Sequence, residues 1–288
     1  MNGDITRPDI RAMVTGSRGF IGRHLTAYLR SRVLDIVEWH GDVMELPDYD
    51  EPVDVVFHLA GVSRYDQFLE AASKGYDINV IGTLAVLTYC KKVGARCVFA
   101  STSGVYRSPM DAEPISEDAP LGPNSPYGIS KGLAEGICRH QAKELGTPSV
   151  VLRLFNVYGP GQHPSFLIMW VIECLLKKQP IVLRMPDAFR DFVYVADVVD
   201  AFSRAALLKN TEFKVFNIGR GQAVRVRDVV RIAERVFAPS TGIELVDSQL
   251  GELTAVIADN ARASEELGWT PKYNLEAGLM EIKASLKR

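Results

Sequence analysis

The chain has 288 residues, 47% of them hydrophobic, and its 33 Lys and Arg nearly balance 35 Asp and Glu for a formal net charge of -2. That length can bury a sizeable core without disulfide or metal staples, as one large α/β domain or a domain with a smaller partner. Basic and acidic residues are interleaved, which excludes the broad basic face that nucleic-acid backbones require, so no nucleic-acid partner is expected.

The first eight residues, Met-Asn-Gly-Asp-Ile-Thr-Arg-Pro, hold no apolar signal core, and the longest apolar stretch, Phe166 to Leu176, is short and interrupted by Glu173. The expectation is a soluble cytoplasmic protein with no membrane partner. Arg11 to Thr15 reads as a strand, followed by a helix with Ile21, Leu25, Tyr28 and Leu29 on one face, then a strand over Val33 to Trp39. Further strands are expected at Val53 to Leu59, Arg96 to Thr102 and Ser149 to Leu154, with helices over Ile78 to Lys92 and Tyr127 to Leu145. Such β-α alternation with apolar strands implies a parallel sheet buried on both faces. After Gly159-Pro160-Gly161 the pattern shifts to longer helices and short isolated strands, Ile181 to Leu183 and Val215 to Ile218. The expected architecture is therefore a Rossmann-like doubly wound parallel sheet over residues 1–160. A smaller C-terminal α/β substrate lobe occupies 161–288, with parts of the chain returning to the sheet.

Thr15-Gly-Ser-Arg-Gly-Phe-Ile-Gly22 stands where the first strand becomes a helix. In G-x-x-G-x-x-G the missing side chains let the chain turn tightly, let a pyrophosphate approach backbone N–H groups, and let helix pack on strand. With a strand before it and an amphipathic helix after it, the motif points to a dinucleotide. A fold selecting the unphosphorylated ribose puts a carboxylate at the end of the second strand. Here that place holds His40, then Asp42, while Glu38 would serve only through a bulge that reverses its face. Arg18 could instead pair with a 2′-phosphate, so NAD and NADP both stay open.

Tyr127-Gly-Ile-Ser-Lys131 opens a helix, and the four-residue spacing puts phenol and ammonium about 6 Å apart along one face. A phenol titrates at about 10, and a neighbouring ammonium brings its phenolate within reach as a general base. Ala100-Ser-Thr-Ser-Gly-Val-Tyr106 adds hydroxyls at a strand's C-terminal end, with Thr102 placed to bridge a substrate hydroxyl and Tyr127.

Together with F-H-L-A-G (57–61), N-V-I-G-T (79–83), L-R-L-F-N-V-Y-G-P (152–160), R-D-F-V-Y-V-A-D-V (190–198) and L-G-W-T-P (267–271), in this order, these motifs carry a resemblance from about Arg11 to the C-terminus. The chain resembles the extended short-chain dehydrogenase/reductase family, in particular its nucleotide-sugar epimerases, dehydratases and reductases. The resemblance implies catalytic Thr102, Tyr127 and Lys131, the lysine and tyrosine also touching the cofactor. The implied cofactor-binding set continues with Gly16, Arg18, Gly19, Phe20, Ile21, Gly22, His40, Asp42, Val43, Leu59, Ala60, Gly61 and Asn79. Beside Thr102 and Tyr127, the substrate set is Ser103, Asn156 and Arg190, the last two suited to a sugar diphosphate by their amide and guanidinium donors. It further implies a homodimer through the helices at Ile78 to Lys92 and Tyr127 to Leu145.

Family dehydratases carry an Asp-Glu pair directly after the active-site Thr, whereas here Ser103-Gly104 follows Thr102. The expected reaction is thus 4-epimerisation of a nucleotide-diphospho-sugar through a transient 4-keto sugar, with NAD. The alternative is NAD(P)H-dependent reduction of a 4-keto-6-deoxy sugar nucleotide. A dinucleotide-binding redox sensor without turnover would not need Thr102, Tyr127 and Lys131 together. Arg107 where the family often has Gly, Gln249 near a diphosphate-gripping Arg, and a short stretch between Trp39 and Val53 leave sugar and base open. Phe166, Met169, Trp170, Ile172 and Leu176 read as core or subunit contact. Cys90, Cys97, Cys138 and Cys174 show no C-x-x-C pair and fit buried thiols, and the five histidines lack ligand spacing, so no metal is expected.

Overall fold

The computed structural model describes residues 10–32, 35–107, 113–209, 211–239, 242–246 and 255–287. Gln249 lies outside them. In chain order the first half runs β1 (Arg11–Thr15), α1 (Phe20–Arg30), β2 (Asp35–Trp39), β3 (Val55–His58), α2 (Tyr65–Glu70), α3 (Ala72–Tyr76), α4 (Gly82–Val93), β4 (Arg96–Thr102), α5 (Pro126–Leu145) and β5 (Ser149–Leu154). The second half follows with β6 (Asn156–Tyr158), α6 (Leu167–Lys177), β7 (Ile181–Arg184), β8 (Phe189–Tyr194), α7 (Val195–Ala206), β9 (Phe213–Ile218), β10 (Ala223–Arg225) and α8 (Val226–Val236). β11 (Ile243–Val246), β12 (Ala255–Val256), α9 (Ala261–Leu267) and α10 (Leu275–Ser285) complete it.

The main sheet has the order β2-β1-β3-β4-β5-β9, every neighbour parallel. Alternate strand residues feed two cores, as the two-residue period of a strand requires. Ala12, Val14, Val55, Phe57, Val98, Val150 and Leu152 enter one core with Leu25 of α1 and Phe202 of α7. Met13, Val56, Cys97, Phe99 and Val151 enter the other with Val86 and Cys90 of α4 and Cys138 of α5. This is a Rossmann-like α/β fold. Chain order reverses between β1 and β3, which opens a crevice at their C-terminal ends.

Three expectations are corrected. Val215 to Ile218 is no isolated strand: as part of β9 it closes the main sheet beside β5 (Leu154↔Ile218). Ile181 to Leu183 pairs in parallel with β11 as a separate two-stranded sheet. The Ile78 to Lys92 helix is also interrupted, since Asp77–Ile81 forms a π-helical turn before α4 begins. In the short stretch after β2, Val43–Asp48 forms a 3-10 turn capped by the Asp42 carboxylate, which accepts from the Met44 N–H at 3.0 Å.

The remaining strands centre on β8, antiparallel to β10 and parallel to β6 and β12. Asp191 within β8 is fully buried and accepts backbone N–H bonds from Arg220 (2.6 Å), Gly221 (2.8 Å) and Ala258 (3.1 Å). Burial pushes its carboxyl up to about 6. Asp191 therefore locks the segment carrying Arg190 instead of pairing with that guanidinium. No helix of the described residues is long and apolar enough to cross a membrane.

Candidate active site

The glycine turn is built by contact. Gly16 has φ +71, and a Cβ there would meet the Ala60 nitrogen at 2.6 Å; a Cβ on Gly22 would lie 2.1 Å from the Gly16 carbonyl oxygen. Gly19 sits at the N-cap of α1, where no side chain caps the helix and no acidic residue occupies the first turn. The first-turn N–H groups are left without helical acceptors and favour an anion. Gly16, Gly19, Phe20, Ile21 and Gly22 border a cavity of about 450 Å³ that also takes in Leu59 and Gly61 after β3. These walls fit the pyrophosphate of a dinucleotide.

The opposite wall comes from β4 and α5. Ser125 caps α5 by accepting from the Gly128 N–H at 3.1 Å, Pro126 starts it with a preset φ, and Gly146 at φ +71 ends it. A Cβ on Gly128 would lie 2.3 Å from the Gly104 carbonyl oxygen, so the glycine lets the helix start press on the turn after β4. That contact sets Tyr127 and Thr102 on one wall of the cavity, where the Thr102 hydroxyl oxygen accepts from the Gly104 N–H at 3.1 Å. Burial pushes the Tyr127 phenol up to about 12, with the nearby Thr102 hydroxyl opposing it. The expected lowering by the Lys131 ammonium is not seen, and the phenol is protonated at neutral pH.

Lys131 is buried with its ammonium 4.4 Å from the centre of the Phe99 ring. Burial pulls it down to about 8, against the upward influence of Cys138 and Glu135. Thr102, Ser103, Tyr127, Lys131 and Asn156 all face the same cavity as the glycine turn. Arg190 faces an adjoining one of about 330 Å³, which shares Ser103 and Asn156 with the first and includes Arg107. Met185, at a strained φ of 55, borders this second space. Asn156 reaches both while donating to the Asp191 carbonyl at 3.1 Å.

Several expected cofactor residues do not border the main cavity. Asn79 is buried and spent on protein: its amide donates to the Val62 carbonyl and Ser130 hydroxyl and accepts from the Val62 N–H. Val43 is core, and Asp42 is the turn cap described above. Ala60 packs behind Gly16 and bonds Thr15, while His58 lies inside β3 between Thr15 (2.8 Å) and Thr83 (3.1 Å). Arg18 and His40 are exposed, the imidazole 3.5 Å from the Ser17 hydroxyl. β2 is unbulged beside β1 (Val14↔Glu38), and Glu38 pairs with Arg30 of α1, so it does not supply the missing ribose carboxylate.

The sequence reading missed Val62, Ser63, Arg64, Gln162 and His163, all on the cavity wall. It also assigned Phe166 to core or subunit contact, whereas Phe166 is 40% exposed and faces the cavity. Only the Gly-Pro-Gly-Gln-His run hinted at these residues, through its position after a strand.

A doubly wound sheet with an uncapped glycine turn at its switch point, and a Tyr–Thr pair with a buried lysine across the same cavity, defines a dinucleotide-dependent Rossmann-type enzyme. Residues 12–219 match the model of the NAD dependent epimerase/dehydratase family, and the chain belongs to that family. It is 31% identical to a UDP-glucose 4-epimerase of Azospirillum brasilense over 99% of this chain and 94% of that protein. It is 30% identical to a GDP-6-deoxy-D-mannose reductase of Pseudomonas aeruginosa, over 94% and 95% respectively. The solved structure of MoeE5 in complex with UDP-glucose and NAD superposes with a TM-score of 0.88 at 30% identity, covering 96% of this chain and 99% of that one.

Proposed function

We propose that the protein is a nucleotide-diphospho-sugar 4-epimerase working through a transient 4-keto sugar. The observation that carries this reading is that Thr102, Tyr127 and Lys131 line the same cavity as the glycine turn. When bound, a nicotinamide dinucleotide supplies reversible hydride acceptance. The chain's residues manage the proton: Thr102 orients the C4 hydroxyl; Tyr127 must first release its own proton to solvent, a loss that the Lys131 ammonium and the positive charge of an oxidised nicotinamide would favour; the phenolate then takes the C4 hydroxyl proton as hydride leaves and returns it when hydride comes back. Asn156 and Arg190 hold the diphosphate between the two cavities. The described residues facing either cavity include no Asp or Glu, which disfavours dehydration by a carboxyl acid and suits a polyanionic ligand. The second reading, reduction of a 4-keto sugar nucleotide, is favoured by one observation: β2 ends at Trp39 and is followed by His40, with Glu38 turned to Arg30.

One incubation with UDP-, dTDP- and GDP-sugars and either NAD or NADPH, followed by product separation, decides between them. Appearance of a C4 isomer with constant nicotinamide absorbance is the expected result. Stoichiometric loss of that absorbance with a 4-keto substrate identifies the reductase, and dinucleotide binding without conversion identifies a sensor.

We further propose that a second copy of this chain covers α4 and α5. Leu84 and Thr88 with Ile81 of the π-helical turn just before α4, and Ile129 and Leu133 with Gly136 on α5, form exposed stripes at helical spacing on these two packed elements. The protein should sediment at twice its 31.8 kDa chain mass, and Leu133→Glu should halve that value. A wild-type monomer would sink the proposal.

A further inference from the structure

A chain of buried polar groups runs beneath the site, and none of the chemistry above uses it. Glu135 lies one helical turn beyond Lys131 on α5. Ser101, which precedes Thr102 on β4, donates to Glu135 Oε1 at 2.5 Å. Arg153 of β5, 1% exposed, donates through Nε to both carboxylate oxygens (3.1 and 3.2 Å) and through Nη2 to Oε2 at 2.8 Å. Its Nη1 continues to the Tyr106 hydroxyl and the Glu117 carbonyl, both at 2.9 Å, and Tyr106 donates to Asn217 of β9 at 2.6 Å. A buried ion pair contributes little net stability compared with apolar residues of the same volume. What this one does is tie α5 to β4 and β5 directly beside Thr102, the residue that follows Ser101.

We propose that Glu135 is a positioning residue: by joining Ser101 to Arg153 it holds the end of β4 against α5, and with it Thr102 on the same cavity as Tyr127, and it is the counter-charge of the Lys131 ammonium one helical turn away. The inference rests on the proton-transfer role assigned to Tyr127 above. The groups around Lys131 leave this counter-charge to Glu135. Tyr127 and Cys138 share its helix, and burial pushes the phenol and the thiol up, so both are neutral. From β3, His58 is held neutral by burial and by Lys131 itself, pushed down to about 3, and from β4 the neighbour is the Phe99 ring.

The test is Glu135→Gln, which keeps the shape and removes the charge, read in two ways. In protein labelled with 13C at lysine Cε, with Lys131→Met assigning the resonance, the Lys131 titration midpoint should fall by about one pH unit. In turnover of the sugar that wild type converts, kcat should fall about a hundredfold through misplacement, with KM and dinucleotide affinity within about twofold. The alkaline limb of kcat should move down with the lysine. Glu135→Leu combined with Arg153→Met removes the buried ion pair without leaving a lone charge, and kcat should stay low because the Ser101 tie is gone. An unchanged Lys131 midpoint with a lowered unfolding temperature would reduce the pair to a structural element and overturn the proposal, as would full kcat in the double variant. Should wild type convert no nucleotide sugar, the epimerase reading fails, while the lysine titration still judges Glu135.

Discussion

Tyr127→Phe should abolish sugar conversion, with a loss of about 10³-fold or more, while dinucleotide affinity stays within about twofold of wild type. The substitution removes one oxygen. It takes away the group that exchanges the proton and leaves the Thr102 hydroxyl bonded to the Gly104 N–H. The ring stays where it is, packed edge-on to Phe68 at 6.4 Å between centroids, so the fold should lose no more than about 1 kcal/mol, the order of one hydrogen bond. Product separation over long incubation measures the chemistry, and a fluorescence titration with NAD and NADP measures binding. Unchanged conversion in this variant would remove Tyr127 from the mechanism, whatever the family resemblance.

Gly22→Ala should have the next largest effect, on binding. The added Cβ would stand 2.1 Å from the Gly16 carbonyl oxygen and 2.8 Å from the Ser17 Cα, both backbone atoms with no rotamer to yield. Relief requires α1 to lift off the turn, at an overpacking cost of about 1–3 kcal/mol. Lifting the helix carries its uncapped N–H groups away from the anion they would hold. Dinucleotide affinity should therefore drop at least about tenfold, alongside a lower unfolding temperature. If thermal scans shift but the binding titration does not, the turn is a packing device and the dinucleotide sits elsewhere.

Much of this architecture was legible because local signals and tertiary structure agree. β1, β4 and β5 span the residues read from sequence, and α5 starts one residue before Tyr127, where Ser125 and Pro126 mark a cap. The glycine turn was readable because each missing side chain answers a separate steric demand. Other features depend on distant chain segments, which periodicity does not report. β9 joins β5 only after a whole lobe has intervened, so its short apolar run looked isolated. Asn79 sits in a π-helical turn and braces the loop after β3 through Val62 and Ser130, and what the motif did not report is that this bracing keeps it off the cavity wall. The acidity of Tyr127 was misread because spacing along a helix says how near an ammonium is, but not how deeply the phenol is enclosed. Glu135 and Arg153 did leave a trace: an arginine inside Ser-Val-Val-Leu-Arg-Leu needs a buried counter-ion, and a glutamate stands one turn beyond Lys131.

The late arrival of β9 also bears on how a growing polypeptide reaches this shape. A nascent chain released at residue 160 would hold β5 with a bare flank, its backbone amides and carbonyls waiting for a mate that is still unsynthesised. The main sheet therefore cannot gain its sixth strand until translation has passed Ile218, and the two halves must mature together on or after the ribosome.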